Sequence, residues 1–151
     1  MMTMNLAELL DRTSLDVLDH LERDLTIPVI DGPQAQGDLI VLPLAMVRTV
    51  HPHGYARWLP VPPHGVELVR GVAGNNPHTL VADPGTCRET PDVQDPLRLA
   101  IALFENTAPA YLVHPEHGAS GVAPGRWLVR RQQERGASAH ARTGRNVLVA
   151  D

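Results

Sequence analysis

The chain has 151 residues, 43% of them apolar, 20% charged and 3% aromatic, and a net charge of −4. That length suits one domain with a single core, and the apolar share excludes a disordered polymer, which needs low hydrophobicity and high charge. One cysteine, Cys87, excludes an internal disulfide framework and a cysteine-rich zinc site. No run approaches the roughly 20 apolar residues of a bilayer span, and the first residues lack a signal peptide's basic and apolar regions, so a cytoplasmic protein is expected.

In chain order, Leu6, Leu9, Leu10, Leu15, Val17, Leu18 and Leu21 follow helical spacing. They predict one kinked helix or two short amphipathic helices over 5–24, with Thr13 or Ser14 capping the second and a stop before Ile27-Pro28. Residues 1–25 are thus a helical arm, placed to cover a sheet or to pair with a neighbour's copy. Residues 26–151 read as the main domain. Glycine and proline punctuate it too densely for long helices, as turns between short strands require.

Strands are predicted at Asp38–Leu42 and at Val66–Val72. Leu97–Phe104 follows Asp95-Pro96, a pair that resembles a helix start. Leu97, Leu99, Ile101 and Leu103 nevertheless alternate, which predicts a strand with four large residues on one face. Tyr111–Val113, Trp127–Gln133 and Asn146–Ala150 complete the set, with a flexible loop at 136–145. The expected fold is mainly β, a small antiparallel barrel or sandwich with an N-terminal helical arm.

Charge is segregated along the chain. The first forty residues hold eight acids against Arg12 and Arg23, whereas 126–145 hold six arginines against Glu134. The acidic start can pack near the basic end, within one protomer or between two. Alternatively Arg126, Arg130 and Arg131 bind an anion or nucleic acid, with Trp127 as a stacking aromatic. On a strand Trp127 shares a face with Arg131 and not Arg130. A net charge of −4 and few aromatics weigh against a dedicated RNA surface.

Histidines suggest chemistry more directly. His51-Pro52-His53 would point both rings to one face of a strand. His114-Pro115-Glu116-His117 follows a strand, and His78 stands at another strand-to-loop junction. Neutral imidazole binds zinc and other divalent transition metals, and ligands from separate strand ends are a frequent catalytic geometry. His78, His114 and His117 are therefore a candidate metal set, with Glu116 as a base or fourth ligand. The competing reading has these rings hydrogen-bonding loop backbone at a structural corner. Cys87 falls in a predicted loop without a paired base, and no phosphate-binding glycine loop or nucleophile-elbow serine is present.

Three stretches resemble a family of small uncharacterised bacterial proteins. They are Gly37-Asp38-Leu39-Ile40-Val41-Leu42-Pro43, then Gly71 to His78, then Tyr111 to Gly118 continued by Gly125, Val129 to Glu134 and Val149-Ala150-Asp151. Relatives run G-D-x-x-x-x-P, G-x-x-T-G-H-x-H, L-x-H-x-E-H and Q-R-E-Y, ending V-x-D. The resemblance covers 37–151, leaves the helical arm outside, and implies no established activity. Here Asn76 stands at the first histidine of H-x-H, and Gln132-Gln133-Glu134-Arg135 replaces Q-R-E-Y. Asparagine is a poor metal ligand but keeps a donor and an acceptor, which suits a hydrogen-bonded corner.

The expected function is a non-catalytic interaction or assembly module, self-associating or binding a protein through its N-terminal helix. Its histidine corner is structural or weakly metal-binding. The alternatives are a metal-dependent enzyme using His78, His114 and His117 with Glu116 as base, and anion or nucleic-acid binding at the late arginines.

Overall fold

The computed structural model describes residues 4–15, 17, 26–70, 77–135 and 146–148, with 69–70, 133–135 and 146–148 described by backbone alone. Helix α1 (Leu6–Thr13) starts at Asn5, whose side-chain oxygen accepts the Glu8 N–H at 2.8 Å. Ser14 closes it in a left-handed conformation (φ 58°) and donates its N–H to the Leu10 carbonyl. Ser14 therefore ends this helix, and the Thr13 hydroxyl donates to the Leu9 carbonyl within it. Residues 16 and 18–25, where the helical expectation continues, lie outside the described residues.

After the helix the chain forms β1 (Val29–Ile30), β2 (Gln34–Gln36), β3 (Leu39–Pro43), a 3-10 turn at Leu44–Met46, β4 (His51–Pro52), β5 (Leu59–Pro60) and β6 (Val66–Arg70). Then come β7 (Pro77–Ala82), β8 (Cys87–Thr90), β9 (Val93–Gln94), β10 (Ala100–Asn106) and β11 (Ala110–His114). The last are β12 (Gly118–Val122), β13 (Gly125–Arg131), β14 (Gln133–Arg135) and β15 (Asn146–Leu148). A five-stranded sheet runs β1-β12-β11-β7-β6, and a six-stranded sheet runs β2-β3-β13-β10-β8-β5. The pairings are antiparallel except that β1 runs parallel to β12.

Of the two expected architectures this is the sandwich, with no closed barrel. Leu39, Val41, Leu80, Phe104, Leu112, Trp127 and Val129 form the core between the sheets. Helix α1 lies outside the five-stranded sheet, where Leu6 and Leu9 pack with Ile27, Val81, Tyr111 and Val113. It thus covers its own sheet, and each buried leucine contributes about 1.5–3 kcal/mol to that attachment. Val50 and partly buried Leu44, Val47, Trp58 and Val93 cover Leu103 and Leu128 on the outer face of the six-stranded sheet.

Local physics accounts for where strand boundaries depart from expectation. β10 begins at Ala100, because Asp95 accepts the N–H groups of Leu97, Leu99 and Ala100 and winds 95–99 into a turn. Leu97 is left exposed. The register slips between Ala100 and Ala102, a bulge at Ile101. It breaks the alternation, so Ile101 and Phe104 meet the inter-sheet core while Leu103 faces the outer layer.

The strands β7, β8 and β12, and the short β1, β2, β4, β5 and β9, have no counterpart among the predicted ones. β7 is buried over His78–Val81, and a strand covered on both faces carries no period-two signal. β12 is rich in small residues because β1 crosses close by: a Cβ on Gly121 would lie 2.8 Å from the Pro28 carbonyl oxygen. β8 contains Cys87, which is therefore a buried strand residue and not a loop thiol.

Candidate functional site

Strands β7 and β11 are neighbours, with Leu80 opposite Leu112 and Thr79 opposite Val113. One step further along the ladder, His78 and His114 continue the inward row begun by Leu80 and Leu112. Both are 0% exposed, and their ring centroids lie 4.4 Å apart. The turn after β11 returns His117 so that its ring sits 4.4 Å from His114, at the surface. The three histidines singled out by the sequence thus stand in series, from the end of the core to solvent.

The other sheet holds the inner end of this series. Gly37 (φ 58°) makes the tight turn between β2 and β3 and brings Gln36 and Asp38 against His78. The Gln36 amide nitrogen donates to the Leu112 carbonyl at 2.9 Å, which turns its oxygen to His78 Nδ1 at 3.0 Å. Asp38 Oδ1 lies 3.0 Å from His78 Nε2. Both ring nitrogens of His78 are hydrogen-bonded, as burial of a polar ring demands. His114 Nδ1 accepts the backbone N–H groups of Glu116 at 3.1 Å and His117 at 3.2 Å, so it shapes the turn that carries His117.

A tightly held metal would need lone pairs from at least three of these groups. His78 already directs one nitrogen to an amide oxygen and the other to a carboxylate, and His114 commits Nδ1 to backbone donors. Among the described residues no group of three histidine, cysteine, aspartate or glutamate side chains has the geometry to hold a metal ion. Glu116 is exposed in the turn.

The family model "Domain of unknown function (DUF8820)" matches residues 35–132. The chain belongs to this family. The match takes in Gln36, Asp38 and all three histidines and leaves α1 outside. No curated protein and no solved structure matches the chain.

Elsewhere in the DUF8820 domain the other marked residues separate. His51 lies on β4, which pairs with β9, and His53 stacks on Tyr55 at 4.8 Å. The arginines of β13 diverge. Arg130 is clamped by Asp95 through Nε at 3.1 Å and a terminal nitrogen at 2.8 Å, while Arg126 Nε lies 3.4 Å from Glu105 and Arg131 is exposed. Among the described residues, Arg130 and Arg126 pair with Asp95 and Glu105 and Arg12 with Asp83, none of which joins the acidic start to the basic end. Trp127 is no stacking platform: it is buried between the sheets and donates its indole N–H to the Ala123 carbonyl. Asn76 and the 136–145 loop lie outside the described residues.

Burial and hydrogen bonding set the remaining titratable groups. Burial, reinforced by Glu89, pushes the Cys87 thiol up to about 12, so little of it is thiolate at neutral pH. Burial also raises Glu89, with Asp92 adding to the effect. For Asp95 burial pushes upward, yet the Arg130 hydrogen bond and charge with the Leu97 and Leu99 N–H groups hold its carboxyl below the ordinary value.

Sequence reading misses Gln36, Asp38 and Asp95. Asp38 sits within the Gly37–Pro43 stretch that carries the resemblance, so a signal existed. Asp95 showed its local capping role in Asp95-Pro96 but not its pairing with Arg130, 35 residues away, and Gln36 carried no signal, its partner lying 42 residues away.

Proposed function

We propose that this chain is a non-catalytic interaction module that self-associates, and that its histidine corner is structural. The observation carrying the reading is the engagement of His78 on both ring nitrogens by Gln36 and Asp38, within a wall where His114 ties down its own turn. Such a set pins the β2–β3 hairpin of one sheet to β7 and β11 of the other. It closes the end of the sandwich with buried polar groups, His78 engaged at both ring nitrogens and His114 at Nδ1. A catalytic constellation would instead direct a nitrogen towards a substrate.

Leu6 and Leu9 of α1 are packed on its own sheet, while residues 16 and 18–25 of the arm lie outside the described residues. The segments over the outer face of the six-stranded sheet supply a candidate association surface, because Met46, Tyr55 and Leu97 are exposed on them, Tyr55 by 73% and Met46 by 64%. Multi-angle light scattering on the full chain at micromolar concentrations should give a dimer or larger species, and Tyr55→Ser with Leu97→Ser should shift it to monomer. A monomer at every concentration overturns self-association.

The 4.4 Å spacing of His117 and His114 favours a second reading, a transition-metal site at the outer end of the series. Zinc titration separates the two. One equivalent bound, and lost in His117→Ala, supports the metal site, whereas no stoichiometric zinc supports the structural corner.

A further inference from the structure

We infer that the outer face of the six-stranded sheet carries a binding groove for a small oxyanion ligand with a planar apolar body. The groove, about 610 Å³, crosses β5, β8, β10 and β13, and its lining includes Trp58, Pro60, Arg88, Glu105, Thr107 and Arg126. The register makes a straight row of four side chains: Pro60 opposite Arg88, Arg88 opposite Glu105, Glu105 opposite Arg126. These residues point away from the core, since Phe104 and Trp127, their neighbours along β10 and β13, point into it.

Glu105 is shared. Arg88 donates to one of its oxygens at 2.8 Å, and Arg126 Nε lies 3.4 Å from the other. The Arg88 guanidinium also lies 4.7 Å from the centre of the Trp58 ring. Two guanidiniums are therefore held in place on rigid strands by one carboxylate, leaving an excess positive charge and several N–H donors on the groove side. Their backbones are two strand spacings, about 10 Å, apart. Side chains leaning inward from that distance bracket a single phosphate or carboxylate, and Arg is suited to such planar, multidentate recognition. The accessible part of the partly buried Trp58 indole and Pro60 provide an apolar wall beside the oxyanion position, which matches a ligand with a flat ring next to its charge.

The arginine-rich end of the sequence suggested anions, but Arg126 alone of its three marked residues lines this groove among the described residues. Arg88 and Trp58 come from distant segments. The site is separate from the histidine corner and does not depend on its being structural.

Phenyl phosphate and inorganic phosphate serve as probes, titrated into the full chain while the indole N–H signals are followed by NMR. Phenyl phosphate should shift the Trp58 signal, leave that of buried Trp127 in place, and bind more tightly than inorganic phosphate. Arg126→Met should weaken phenyl phosphate at least tenfold. Glu105→Gln, which removes the competing internal anion, should tighten it several-fold. Trp58→Leu should bring phenyl phosphate down to the level of inorganic phosphate. The opposite signs of the Arg126 and Glu105 variants distinguish a binding effect from damaged folding. Equal affinities in wild type, Arg126→Met and Glu105→Gln, or a Trp58 signal unmoved at saturation, overturn the proposal.

Discussion

Replacing Asp95 with alanine removes the acceptor at the centre of five hydrogen bonds. Three come from the backbone N–H groups of Leu97, Leu99 and Ala100, and two from the Arg130 guanidinium. The Asp95 side chain is only 2% exposed and that of Arg130 13%, so solvent cannot replace the carboxylate without opening the turn. Removing one partner of a buried pair costs about 3–5 kcal/mol, because the other charge is left uncompensated. Against a total stability of about 5–15 kcal/mol this is a large fraction. For a chain of this size it lowers the melting temperature by about 10 °C or more. Arg130→Met should cost less, since the Asp95 carboxylate it leaves behind keeps the N–H groups of Leu97, Leu99 and Ala100, and methionine keeps the buried stem. The double variant should be more stable than the sum of the single effects predicts. Urea unfolding of the four proteins at pH 7 gives the cycle. A loss below about 1 kcal/mol for Asp95→Ala would refute the clamp as a stabilising unit and return Arg130 to the pool of available cations. The pH dependence provides a second check. Asp95 is held below its ordinary value, so its contribution is fully present above the unfolded pKa and is lost as pH falls through the folded one. Wild type should therefore lose more stability than Asp95→Ala on acidification below about pH 4.

Glu89 has the opposite sign. Its raised value means that the buried carboxyl favours its protonated form, and the associated stability fades as pH rises above the unfolded value. Glu89→Gln should have a higher urea midpoint than wild type at pH 7, with the gap narrowing at pH 4, and an unchanged gap would remove burial as the cause. Cys87, with its thiol near 12, should resist a disulfide reagent at pH 8 in the native protein and react promptly in denaturant. Fast labelling of the folded chain would show that β8 opens readily.

The β class and the candidate set His78, His114 and His117 were legible along the chain because each shows in local pattern, whereas the choice of sandwich over barrel was not. Alternation or short apolar runs marked β3, β6, β11 and β13. The histidines sat at or next to ends of predicted strands, and adjacent strands bring such ends together. The strand β7 was hidden because α1 on one side and the inter-sheet core on the other bury both its faces. β12 was hidden because β1 approaches too closely for larger side chains.

The function of the marked residues was decided in three dimensions. A histidine's role depends on what its two nitrogens meet, and for His78 these are Gln36 and Asp38 on the opposite sheet. An arginine is available for a ligand only if no carboxylate holds it. Pairing across strands committed Arg130 to Asp95 and set Arg126 beside Glu105 and, one strand beyond, Arg88. Composition determined that this is a chain rich in turn formers, histidine and arginine. Which of those side chains are neutralised, buried or left facing solvent follows from strand register, which brings together residues tens of positions apart.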